Sequence, residues 1–103
     1  MSEFANNLLQ PIKITLRQST SKEVFDDEIK DYITACAKDL KDAGILDSYF
    51  TGIGEIDPQI KQAVRWYCLS TFGLYNADSE KYMEAYKSLK ATLSTQKVYT
   101  KGE

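Results

Sequence analysis

The chain has 103 residues, enough for one compact domain and too few for a multidomain enzyme. Thirteen basic residues against fifteen acidic ones give a net charge of −2, which disfavours nonspecific nucleic-acid binding because that binding needs clustered positive charge. The chain has no histidine, which excludes Ser-His and Cys-His nucleophilic pairs and histidine-ligated metals. We therefore expect that the protein is not an enzyme and that it binds no metal and no cofactor.

The first segment fits two secondary structures. Ile12, Ile14 and Leu16 alternate as in a strand, whereas Leu8 or Leu9, Ile12 and Leu16 also fit a helix opened by Pro11. A lone strand would have no pairing partner in an otherwise helical chain. We therefore predict a short helix over about 8–18.

The second helix is predicted over about 24–43. It begins near a capping-box pattern at residues 20–23 and ends before Gly44, which suits the left-handed position after a helix. The carboxylates at its start invite comparison with a Mg²⁺ or Ca²⁺ site, but their spacing matches no EF-hand loop and the helix dipole favours acids there. Its apolar stripe contains Ile29, Ile33, Cys36, Ala37 and Leu40.

The third helix follows a connection over residues 45–56 whose apolar side chains, including Tyr49 and Phe50, need cover. Asp57 is a predicted N-cap and Pro58 suits the first helical position, so the helix should run from there to about Tyr75. Its wide apolar stripe favours a central place in a bundle.

The last helix starts after the short connection at residues 76–79, which favours an antiparallel neighbour. Its stripe of Tyr82, Tyr86, Leu89 and Leu93 ends near Thr95. Residues 96–103 carry no helical stripe, and Lys97-Val98-Tyr99-Thr100 alternates like a strand, so we expect an extended tail that becomes ordered on a partner.

Together these elements predict an all-α fold. It is a small antiparallel bundle of three main helices plus a short N-terminal helix, with residues 1–95 as one domain and 96–103 as an extended C-terminal tail. Cys36 and Cys68 lie on apolar stripes and are expected to be reduced, packed thiols. The N-terminus shows no signal peptide and no run of 18 apolar residues occurs, so we expect assembly in a reducing cytoplasm without a membrane.

Several residues are candidates for an interface rather than for catalysis. Trp66 lies off the stripe of its helix beside Arg65, and such pairs often anchor interfaces. Residues 22–60 carry a net charge of −6 and residues 61–103 a net charge of +3; identical subunits would pack head to tail if these regions occupy different faces, although solvated helix faces can also simply differ in charge. The predicted interface comprises Arg65, Trp66, Tyr49, Phe50, Lys97, Val98 and Tyr99.

The order of several short motifs resembles the small helical head-tail connector, or adaptor, proteins of long-tailed bacteriophages. The motifs are Leu16-Arg17, residues 25–29, Tyr32-Ile33, Asp39-Leu40, Gly44-Ile45, Asp57-Pro58, residues 60–64 and residues 75–78. The resemblance covers roughly residues 8–95. It departs at residues 74–77, where many family members carry an aromatic-arginine feature.

This resemblance implies a structural protein of the virion neck, also described as a head-completion or DNA-packaging protein. It implies a homo-oligomeric ring of about a dozen subunits beneath the portal protein of a filled head. Such a ring extends the DNA channel, lets DNA pass without sequence-specific binding, and presents a surface to the next stopper or tail protein.

The alternative from another class is a small helical regulatory or nucleic-acid-binding protein, such as a helix-turn-helix domain. That reading needs a basic recognition helix. The last helix has Lys81, Lys87 and Lys90 but also Glu80 and Glu84, which is a weak footprint for groove binding.

Overall fold

The computed structural model describes residues 2–16, 25–52, 54–71 and 78–101. These residues form α1 (Ser2–Thr15), α2 (Asp26–Asp42), a 3₁₀ turn (Asp47–Phe50), α3 (Pro58–Thr71), α4 (Ser79–Ser94) and α5 (Lys97–Thr100). Within these ranges no strand occurs. The all-α prediction is therefore confirmed.

Helix α1 is longer than predicted. It begins at Ser2 rather than near residue 8, and Pro11 lies inside it rather than opening it. The reason is the buried stripe upstream of the proline: Phe4, Leu8 and Ile12 are at most 1% exposed. Their burial outweighs the loss of the Pro11 N–H from the helical ladder. Residues 17 and 18 of the predicted helix lie outside the described residues.

Helix α2 follows its prediction closely. All five residues of its predicted stripe are buried. The helix ends in a Schellman motif: the Gly44 N–H donates to Lys41 O at 2.9 Å, the Ile45 N–H donates to Leu40 O at 3.1 Å, and Gly44 has φ +108°. The predicted capping box at residues 20–23 lies outside the described residues.

Helix α3 begins where predicted, and α4 begins at Ser79, the last residue of the predicted connection. The Asp57 side chain accepts hydrogen bonds from the backbone N–H groups of Gln59 and Ile60, at 2.8 and 3.2 Å, and thereby caps α3. The described part of α3 ends at Thr71, and residues 72–77, which include the predicted end of this helix and the following connection, lie outside the described residues.

The core is shared by all four long helices. Helix α3 packs most extensively against α4, α1 packs against α2 and α3, and α5 packs against α4. Tyr67 and Leu89 pack against the core but are only partly buried, and Tyr82 is partly exposed. The antiparallel order of the helices stays a prediction.

The C-terminal segment differs from its prediction. Residues Lys97–Thr100 form the short helix α5, not an extended strand, and Tyr99 is only 4% exposed. The alternation of polar and apolar residues there is too short to distinguish a strand from a helical turn. The decisive factor is the set of partners that Tyr99 finds on the body of the protein, described below.

Candidate interaction surfaces

The structure separates the predicted interface residues into two places. Tyr49 lies in the 3₁₀ turn beside α5, and its ring centroid is 5.0 Å from that of Tyr99. Arg65 and Trp66 lie on α3, where both are partly exposed. Lys97 and Val98 are exposed, whereas Phe50 and Tyr99 are 2% and 4% exposed.

Phe50 and Tyr99 are therefore internal anchors of the subunit. The Phe50 ring packs edge-on against Phe4 of α1, with centroids 5.3 Å apart. Phe4 supplies the cover that the sequence predicted for the connection, from a part of the chain that the predicted first helix did not include. Little surface of these two rings remains for another protein.

Tyr99 joins α5 to the start of α3. Its hydroxyl donates to the Asp57 carboxylate, whose oxygens lie 3.0 and 3.1 Å away, and Asp57 is the residue that caps α3. The Tyr49 hydroxyl donates to Val98 O at 2.8 Å, and the Leu46 N–H donates to Tyr99 O at 2.9 Å. Burial, followed by the hydrogen bond to Asp57, raises the pKa of Tyr99 to about 12. We call these interactions the tail contact.

A groove of about 440 Å³ lies between α1, the loop before α3, and α3 itself. Two cations of α3, Lys61 and Arg65, line it one helical turn apart. The Arg65 Nη1 donates to Gln62 Oε1 at 3.2 Å, a neutral acceptor. We call this feature the α1–α3 groove; its lining residues are Asn7, Leu8, Gly54, Glu55, Ile56, Pro58, Lys61 and Arg65.

The exposed side of the first two turns of α2 is acidic. Asp27, Glu28 and Asp31 are all exposed, and Glu28 accepts a hydrogen bond from the Tyr32 hydroxyl at 3.3 Å. We call these three residues the α2 acidic face. Asp27 and Glu28 are in the first turn, where the helix dipole stabilises acids, whereas Asp31 lies beyond it.

A second polar cluster ties α2 to α4. The Tyr86 hydroxyl and the Lys90 ammonium donate to the same Asp39 oxygen, at 2.5 and 2.9 Å. Burial raises the pKa of Asp39, but these two hydrogen bonds outweigh it and lower the pKa overall. Burial, foremost among its causes, raises the pKa of Tyr86. Ionised Asp39 therefore stabilises the contact between α2 and α4.

Lys13 is a buried charge that sequence analysis did not predict. Lys13, near the end of α1, is 2% exposed and forms a 2.6 Å ion pair with Asp26 in the first turn of α2. Lysine is almost never fully buried unless it is paired, so this ion pair specifies how the end of α1 meets the start of α2. A lysine flanked by two isoleucines carries no sequence signal for such a role.

Both cysteine side chains lie in the core. Cys36 and Cys68 are free and buried, and burial raises the pKa of Cys68 to about 12. In the described parts of the chain, no three Cys, Asp or Glu side chains cluster as a metal site. Within the same ranges, no helix combines the length and apolar character needed to cross a membrane.

Comparison with known protein families identifies the family of this chain. The model of a family described as phage connector protein matches residues 8–100. The chain belongs to the phage connector family. Neither the curated proteins nor the solved structures gave a significant match.

Family membership supports the head-tail connector role that the sequence resemblance implied, and with it a place in the virion among other phage head and tail proteins. The match runs to Thr100 and therefore includes α5 and the tail contact. It also includes the α1–α3 groove almost entirely, since only Asn7 precedes the matched region.

Proposed function

We propose that this connector is a structural protein of the phage neck and not an enzyme. About a dozen copies form a ring beneath the portal vertex of the filled head, extend the DNA channel and present a surface to the next stopper or tail protein. DNA passes through the ring without sequence-specific binding. The observation that carries the proposal is the family match over residues 8–100.

The division between buried and exposed side chains around α5 supports this role. Phe50 anchors the 3₁₀ turn and Tyr99 anchors α5 in the core of the subunit. Lys97 and Val98 are therefore exposed on an ordered helix. An interface residue on an ordered element costs less conformational entropy on binding than one on a flexible tail. We place the contact with the portal or the adjacent subunit at Lys97, Val98 and Tyr49, with Arg65 and Trp66 on α3 as a second contact.

The direct test uses a phage in which this gene is disrupted. DNA-filled heads from such a phage should lack a neck ring, and addition of the purified connector should restore the ring in electron micrographs and restore tail attachment. Heads without portal protein are the control and should bind no connector. Normal necks and full infectivity without the gene product would contradict the proposal.

The runner-up function, nucleic-acid binding by the last helix, has less support in the structure. Lys90, one of the three lysines of α4 on which it depends, is bonded to Asp39 and lies 5.4 Å from the centroid of the Tyr86 ring. This lysine is thus used to hold α4 against α2. Specific retention of duplex DNA by the free connector at physiological salt would revive that function.

A further inference from the structure

The α1–α3 groove contains a charge arrangement that is unfavourable for the isolated subunit. Lys61 and Arg65 are four residues apart on one helix, where like charges repel. Lys61 is also in the first turn of α3, where the helix dipole disfavours a cation; the N-cap acid Asp57 is already bonded to two backbone N–H groups of α3 and to the Tyr99 hydroxyl. Among the described residues, neither cation has a carboxylate within 4.0 Å.

The α2 acidic face has the complementary arrangement. Asp27 and Asp31 are also four residues apart, on the side of α2 opposite its buried stripe. In the described ranges, neither of them forms an ion pair. The next charges along the same side are already satisfied, because Lys38 and Asp42 pair with each other at 3.0 Å.

The two pairs match in spacing as well as in sign. Four residues of α-helix rise about 6 Å, so two acids on one helix and two bases on another meet one to one when the helices lie side by side. The acids and the bases lie on different surfaces of the subunit. A twofold dimer joins the same patch of both copies, so one such contact could not pair the acids of each copy with the bases of the other. A contact between the two pairs is heterologous, and repeated heterologous contacts form a ring when the rotation between copies closes.

We propose that the α1–α3 groove receives the α2 acidic face of an adjacent connector, with Asp27 and Asp31 of one copy against Lys61 and Arg65 of the next. This proposal rests on the connector function proposed above and names the surfaces through which copies meet. The groove residues Ile56 and Pro58 supply the apolar contact around the charges, whereas Leu8 at the base of the groove is buried. Glu55 also lines the groove, and its carboxylate repels an acidic face, so the pairing requires the two acids to contact the cations directly.

Charge reversal tests the pairing on heads that contain portal protein but lack the connector. The groove variant is Lys61→Glu with Arg65→Glu, and the face variant is Asp27→Lys with Asp31→Lys. Each should reduce the fraction of heads with a complete ring at least about tenfold, because like charges then meet. The variant that combines all four substitutions should recover to within about threefold of the wild type, because the pairs are opposite again.

Matched controls carry the same charge changes on α4. Glu80→Lys with Glu84→Lys reverses two exposed acids four residues apart, and Lys81→Glu with Lys87→Glu reverses two exposed lysines. Both controls should form rings like the wild type. Circular dichroism melts of every variant verify that each one folds before it is tested.

A second readout locates the contact. The variant Asp31→Cys with Arg65→Cys, treated on heads with a short thiol-reactive cross-linker, should give a ladder of connector multimers on a denaturing gel. Either cysteine substitution alone should give none, because Cys36 and Cys68 are buried.

The outcomes separate this inference from the proposed function. If wild-type connector does not bind portal-containing heads, the proposed function fails. If wild-type rings form but the groove and face variants behave like the controls, the pairing is wrong. If the groove variant fails and the combined variant does not recover, the cations serve another anion, such as portal carboxylates or the DNA backbone, and the pairing is likewise wrong.

Discussion

Replacement of Tyr99 tests whether the C-terminal residues are part of the folded subunit. The Tyr99 ring is 4% exposed and contacts Tyr49, while its hydroxyl bonds the carboxylate that caps α3. Tyr99→Ala removes the ring and the hydrogen bond together. Tyr99→Phe removes the hydroxyl alone, so the pair of variants separates packing from hydrogen bonding.

The expected losses in the free energy of unfolding follow from these contacts. Removal of a buried aromatic ring costs about 3–5 kcal/mol of unfolding free energy. We expect about 3 kcal/mol for Tyr99→Ala, because the terminal helix α5 can detach without unfolding the rest of the subunit. A hydrogen bond to a charged group contributes about 1.5–3 kcal/mol. Asp57 is partly solvated and keeps its two backbone donors, so we expect about 1–2 kcal/mol for Tyr99→Phe.

Urea unfolding followed by circular dichroism measures both variants. Tyr82→Phe is the matched control, because the described residues give its hydroxyl no hydrogen-bond partner, and it should change stability by less than about 0.5 kcal/mol. The pKa of Tyr99 is raised to about 12, so neutral Tyr99 is favoured in the folded state. The extra unfolding free energy of the wild type relative to Tyr99→Phe should thus be fully present below pH 10 and be lost as the pH rises through 12. A loss below about 0.5 kcal/mol for Tyr99→Ala would refute the docked position of α5.

Three further predictions concern other parts of the subunit. Gly52→Ala should destabilise by about 2–4 kcal/mol, because φ is +76° and a Cβ would lie 2.5 Å from the α1 backbone; Gly54→Ala, with the same φ and open space, should cost only about 1 kcal/mol in the same unfolding assay. The lowered pKa of Asp39 contributes stability that is complete above the ordinary value of 3.8 and lost as the pH falls through the folded value; an acid titration of the unfolding free energy should be flatter for Asp39→Asn, and an unchanged titration would contradict this. Burial raises the pKa values of Cys36 and Cys68, so Ellman's reagent should modify both thiols only after unfolding, and rapid reaction with the native protein would show that they are accessible.

The parts of the fold that were predictable are those specified by local sequence. The stripe of α2 and its Schellman ending are encoded within about twenty residues, and both occur as predicted. The N-cap at Asp57 is equally local. A helix whose apolar positions, start and stop signals agree has few competing structures.

The parts that were missed depend on contacts between distant segments. Pro11 suggested a helix start, but the preceding residues become helical because Phe4 packs on Phe50, 46 positions away. Tyr99 suggested a free tail, yet its partner Asp57 is 42 positions away and is already recognisable as a cap. Local patterns assign each of these residues one role, whereas tertiary contacts give it a second.

The interface residues show the same limit from the functional side. The aromatic residues Tyr49, Phe50 and Tyr99 suggested a binding surface, because aromatics are enriched in both cores and interfaces. In the folded subunit Phe50 and Tyr99 are core residues, so composition alone could not distinguish the two uses. Charge is more informative here. Unpaired charges are rarely buried inside a subunit, so the exposed acids on α2 and the partly exposed bases on α3 are available to a partner. This is why the proposed contact between copies rests on Lys61 and Arg65 rather than on the aromatic residues.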